Sequence, residues 1–194
     1  FKPRDNRVQQ YMKNAHYKIH DVERNGDCFF ATVRDAYKQI GLITTVAKLR
    51  AIVAKEATEA IFQGHKQLYN DLQGTLVDYE RELKATKTLI EKDLKVRAEK
   101  SRNNKDDLRL VMKEMELQKL KYKDLLRSKQ VTTSMIEDDV GNYANIHNVE
   151  QFREYIQTSG FWADSWAIAT LEKVLNMKVI ILSERAYLEN DVHN

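Results

Sequence analysis

The chain of 194 residues has one cysteine, one proline and six glycines. A single thiol excludes an internal disulfide framework and fits a reducing compartment. So few turn-forming residues exclude an all-β domain and fit a mainly helical chain with a small sheet. No apolar run approaches the roughly 20 residues of a membrane span, and no signal peptide is visible in the residues given. No Cys/His spacing suggests a metal site, and no cofactor is expected. A net charge of +3 is too slight to argue for nucleic acid. What is present is 42% hydrophobic and 31% charged residues, enough for one domain with a real core plus an extension.

The lone cysteine, Cys28, lies in the run Asn25-Gly26-Asp27-Cys28-Phe29-Phe30. This polar turn delivers a thiol to the first turn of a predicted helix, Cys28 to Ile40. Helix N-termini have unpaired N–H groups and a partial positive charge. Both favour a thiolate, the nucleophilic form, and the same N–H groups can hold an oxyanion. Beside Phe29 and Phe30 the thiol also reads as a small buried hydrophobe.

Around this motif the pattern predicts a strand from Tyr17 to Val22 and a helix from Val46 to Phe62 capped by Thr44-Thr45. Further helices are predicted at Val149 to Ile156 and, capped by Asp164, at Ser165 to Leu175. A second strand is predicted from Val179 to Leu182. Trp162, Trp166, Leu171 and Ile180 are expected in the core. The middle of the chain has a heptad rhythm: Leu72, Leu76, Tyr79, Leu83, Thr86 and Ile90, then Leu108, Val111, Met115, Gln118, Tyr122 and Leu125. A break at Ser101 to Lys105 predicts an antiparallel helical hairpin with arms about 45 Å long. From Arg81 to Lys129 there are 16 Lys/Arg and 9 Asp/Glu, so this arm is basic while the remainder is acidic. Such a surface is either a solvated coiled-coil face or a contact for a partner. Aromatic residues are sparse there, so nucleic acid stacking is not expected.

The Asn25 to Phe30 run resembles the nucleophile motif of the ovarian-tumour (OTU) family of deubiquitinating cysteine proteases. Phe161-Trp162-Ala163-Asp164-Ser165-Trp166, followed by Val179-Ile180-Ile181-Leu182, is similar to that family's tryptophan segment and following strand. The wording most resembles OTU-like proteins of large DNA viruses, with bacterial effector members bearing helical arms as the other source. The resemblance implies an α+β, papain-like core with a small β-sheet flanked by helices and a long helical hairpin insertion. Residues 1–64 would form the first part of the core, 65–130 the insertion, and 131–194 the second, incomplete part. It implies hydrolysis of ubiquitin isopeptide bonds through a Cys28 acyl-enzyme. The Cys28 amide and the loop Asn25 to Asp27 would hold the oxyanion. Asn25 stands where the family has aspartate, which keeps an acceptor but loses the charge. Ubiquitin or polyubiquitin would be the partner, with another virion or host protein on the hairpin. The location would be host cytoplasm or virion. The alternative is a catalytically impaired ubiquitin-binding or virion scaffold.

The base is the larger departure. The family's histidine lies on a strand near the domain's C-terminus, oriented by a nearby Asp or Asn, and the five histidines here are His16, His20, His65, His147 and His193. His16 and His20 precede the thiol loop and His193 sits in a polar tail. His65 and His147 have no strand context. The expected base lies beyond Asn194, and His16, His20 and His193 are the alternatives.

Overall fold

A computed structural model describes residues 20–181. The chain divides into two units, one made of the residues up to Ala57 and from Glu150 onward, the other Thr58–Val149. The insertion expected at 65–130 falls inside the second.

The first unit holds α1 (Cys28–Gln39), α2 (Val46–Glu56), α6 (Val149–Ile156) and α7 (Ser165–Leu175). Its core is Phe30, Leu49, Val53, Phe152, Ile156, Phe161, Ala167 and Leu171, all nearly or fully buried. The Phe161 ring meets Phe152 and Tyr155 edge-on, with centroids 6.3 and 5.8 Å apart. Thr45 caps α2 by accepting from the Lys48 amide at 3.2 Å. The helix predicted to run on to Phe62 stops at Glu56, because two side chains compete for the backbone there. The Arg153 guanidinium takes the Ala57 carbonyl at 2.7 and 3.0 Å, and Thr58 caps the next helix through the Ile61 amide. Asp164 caps α7 through the Ala167 amide at 2.8 Å, and Asn176 ends it in the left-handed conformation, φ +47°.

The second unit holds α3 (Glu59–Thr88), α4 (Lys95–Lys100) and α5 (Lys105–Met135), with π-helical turns at Leu89–Leu94 and Ile136–Val140. Arms α3 and α5 pack antiparallel. Lys121 pairs with Glu82 at 3.2 Å, Lys129 with Glu80 at 2.8 Å and Arg97 with Glu114 at 3.3 Å. None of the heptad positions of α5 is exposed: Val111 and Met115 are buried, and Leu108, Gln118, Tyr122 and Leu125 half-buried. Near the tip, Leu94, Val111 and Met115 form a small cluster with Leu89 and Ala98 packed on it. Asn104 caps α5 through the Asp107 amide, and Asp106 and Asp107 lie in its first turn, where the helix dipole favours negative charge. At the hairpin base, the Lys66 ammonium donates to the carbonyls of Tyr143 and Ile146 at 2.6 and 3.0 Å.

No strand occurs among the described residues. The expected α+β papain-like core, with its sheet, is therefore corrected to an all-helical architecture. Strands exist only as pairs that share backbone hydrogen bonds, and the chain after α7 makes a different bond. The Val179 amide donates to the Glu172 carboxylate at 2.7 Å, which holds that carboxyl below its usual range. Ile180 and Ile181 stand 79% and 68% exposed, so Ile180 is not core. Trp162 is likewise 60% exposed, Trp166 is half-buried, and Leu171 is fully buried. In the first expected strand, residues 20–22 are irregular and 17–19 lie outside the described residues, as does Leu182 of the second.

Candidate active site at Cys28

Cys28 is half-buried and is the first residue of α1. The turn before it is held by one side chain that the sequence reading did not single out. Arg50, on α2, is 2% exposed. Its Nε donates to Asp27 Oδ1 at 2.8 Å and its Nη1 to the Ile156 carbonyl at 2.7 Å. Its Nη2 donates to the carbonyls of Gly26 and Phe161 at 2.7 and 3.1 Å. The guanidinium also lies 4.3 Å from the centre of the Phe30 ring. A buried charge is stable only where acceptors replace the lost water, and here four of the five guanidinium N–H groups have one. Arg50 therefore ties the thiol turn to the chain at Ile156 and Phe161. The signal was present in the sequence: Arg50 lies at helical spacing from Val46, Val53 and Ala57, on the apolar face of α2.

Gly26 is required by the same packing. A Cβ there would stand 1.9 Å from the Ser159 carbonyl oxygen. Asp27 occupies the N-cap position of α1, yet its side chain caps nothing, because Arg50 holds it.

Asn25, Asp27 and Cys28 are adjacent, and they share a hydrogen-bonded turn. The Asn25 side chain accepts from the Asp27 amide at 2.9 Å, and its carbonyl accepts from the Cys28 amide at 3.0 Å. The donors expected to face an oxyanion are thus engaged by Asn25. The Ala31 amide donates to the Asp27 carbonyl. Among the first turn's N–H groups, those of Phe29 and Phe30 are the ones left without an intrahelical acceptor.

Three histidines fall among the described residues, and His20 is the one in the same unit as Cys28. Its Nε2 lies 3.3 Å from Asp35 Oδ2. Asp35 is two turns beyond Cys28 on α1, about 10 Å along the axis. Arg34 bridges Asp35 at 2.7 Å and Glu23 at 2.8 Å. Hydrogen bonds from Arg34 are the main cause that holds both carboxyls below their usual range, and they raise the arginine in turn. No hydrogen bond joins a histidine to Cys28 Sγ among the described residues. His65 stacks on Tyr143 in the second unit, centroids 5.3 Å apart, His147 belongs to that unit too, and His16 and His193 lie outside the described residues. No group of His, Cys, Asp and Glu that could hold a metal occurs among the described residues.

Comparison with protein-family models, with curated proteins and with solved structures finds no match. Together with the all-helical architecture, this overturns the OTU resemblance: the short motifs at Asn25 to Phe30 and Phe161 to Trp166 are present, but the sheet that would place a histidine opposite the thiol is not among the described residues.

Proposed function

We propose that the chain is a cysteine-dependent hydrolase of amide or isopeptide bonds, with Cys28 as nucleophile. One observation carries the reading: a half-buried cysteine on a helix N-terminus, in a turn held by a buried arginine that makes four hydrogen bonds. Rigid placement of a nucleophile beside unpaired amides is what acyl transfer needs. The Cys28 thiolate attacks the carbonyl carbon. The oxyanion lies toward the Phe29 and Phe30 amides. Collapse expels the amine, which takes up a proton, and leaves a thioester that water hydrolyses to a carboxylate and the free thiol. His20, beside Asp35 two turns along α1, would have to swing toward Cys28 to act as its base, which His20→Gln tests. The ubiquitin C-terminus is the acyl group to test first, because its extended tail reaches a thiol set at the end of a helix.

The test is release of a fluorophore amide from the C-terminus of ubiquitin. Turnover that vanishes in Cys28→Ala supports the reading. Turnover unchanged in Cys28→Ala, or absent from the folded wild type, contradicts it. A second reading, a non-catalytic scaffold acting through the hairpin, is favoured by Asn25, which occupies the Asp27 and Cys28 amides. On that reading Cys28→Ala changes nothing.

A further inference from the structure

The outward face of α5 sets cations that lack ion-pair partners among the described residues beside exposed aliphatic side chains. Arg109, Lys113, Lys119 and Lys123 recur at helical spacing along one side and border a shallow hollow of about 630 Å³. None of these four cations makes an ion pair among the described residues, whereas Lys121 and Lys129, on the seam side, do. Glu116 is the sole acid lining the hollow. Met112 and Leu120, also in its lining, are 51% and 53% exposed, and Met115 forms its edge toward the buried cluster. Met112 and Leu120 stand two turns apart between the cations, so apolar and positive groups share one face.

We infer that this face of α5 docks an acidic amphipathic helix of a partner protein, the apolar residues of which seat on Met112 and Leu120 while its carboxylates pair with Arg109, Lys113, Lys119 and Lys123. Charge complementarity selects an acidic occupant, and the aliphatic centre selects a helix over a polyanion. Recognition of an amphipathic helix uses anchors at i, i+3, i+4 and i+7, and flexible methionine adapts to them. Nucleic acid gains nothing from Met112 and Leu120, and no aromatic residue lines the hollow for base stacking. A second copy is the poorer occupant, because α3, the other long arm, mixes Lys66, Arg81, Lys84 and Lys87 among its acids.

The experiment is fluorescence anisotropy with the full chain and a labelled synthetic peptide about three heptads long. The peptide carries leucine on one helical face and glutamate beside it, and a scrambled peptide of equal composition is the control. The expected result is saturable binding that weakens about tenfold or more for the scrambled peptide and for Lys119→Glu with Lys123→Glu. Leu120→Asn weakens it as well, while Lys87→Glu on α3 leaves it unchanged. Lys119→Gln with Lys123→Gln, which adds no new charge, shows a smaller loss and serves if the reversed pair perturbs folding by circular dichroism. Equal affinity for both peptides overturns the inference, as does indifference to the Lys119, Lys123 and Leu120 changes. Duplex DNA that binds more tightly than the peptide overturns it in favour of a polyanion site. A dimer by light scattering that these variants dissociate overturns it in favour of self-association.

Discussion

The two units are held in opposite ways. The first is organised around one buried charge: Arg50 makes four hydrogen bonds to three separate stretches of chain and covers the Phe30 ring. The second has no fully buried charge among the described residues: the half-buried Lys66 clasps carbonyls at its base, and a repeated apolar seam runs along two arms with ion pairs at its margins. A hub concentrates the cost of failure at one residue and fixes a short turn in one conformation. A seam spreads that cost over many residues and fixes a long shape. The first arrangement suits a reactive group, the second a surface for a partner.

The comparison is broken most severely at the hub. Arg50→Met leaves the Asp27 carboxylate and the three carbonyls without their donor, and a loss of about 3–5 kcal/mol is expected, read as a lowered urea midpoint. In the seam, Leu94→Ala is expected to cost about 2–5 kcal/mol, because its fully buried side chain leaves a cavity among Val111, Met115 and Leu89. Hydrogen exchange localises that loss to the amides near the hairpin tip. Gly26→Ala sets a Cβ against the Ser159 carbonyl, and about 1–3 kcal/mol is expected, with slower modification of Cys28 by iodoacetamide as the local readout. Lys129→Ala removes an exposed pair and should cost less than about 1 kcal/mol, vanishing in high salt.

The smallest expected effect is on pH dependence. Asp35 and Glu23 have folded-state pKa values below those of the unfolded chain, chiefly through hydrogen bonds from Arg34. Carboxyls lowered in this way contribute stability above their unfolded pKa values and lose it as pH falls through the folded ones. Thermal unfolding between neutral pH and the region below the ordinary carboxylate range should therefore show a decline that Asp35→Asn makes shallower. Glu23 is exposed and Asp35 half-buried, so salt should reduce the Glu23 part of the effect more.

Helices were legible where periodicity and caps agreed. Asp164 before Ser165 and Thr45 before Val46 marked real starts, and the heptad positions of α5 became its inward face. Pattern alone could not reveal the stop at Ala57, because Arg153, some ninety-six residues away, supplies the competing bond. The run Val179 to Leu182 is strand-like in composition, but a strand needs a neighbour, and local sequence does not say whether one is there. At the site, the adjacency of Asn25, Asp27 and Cys28 was written in the chain. The role of Arg50 was not, since its partners lie at Gly26, Ile156 and Phe161.

The most direct test is intact mass after incubation with ubiquitin bearing a C-terminal electrophile. The expected result is one added probe mass, mapped by peptide digestion to Cys28, absent in Cys28→Ala and slowed in His20→Gln. No adduct on the folded protein, or one that persists in Cys28→Ala, contradicts Cys28 as the nucleophile and leaves the hairpin as the working part of the chain.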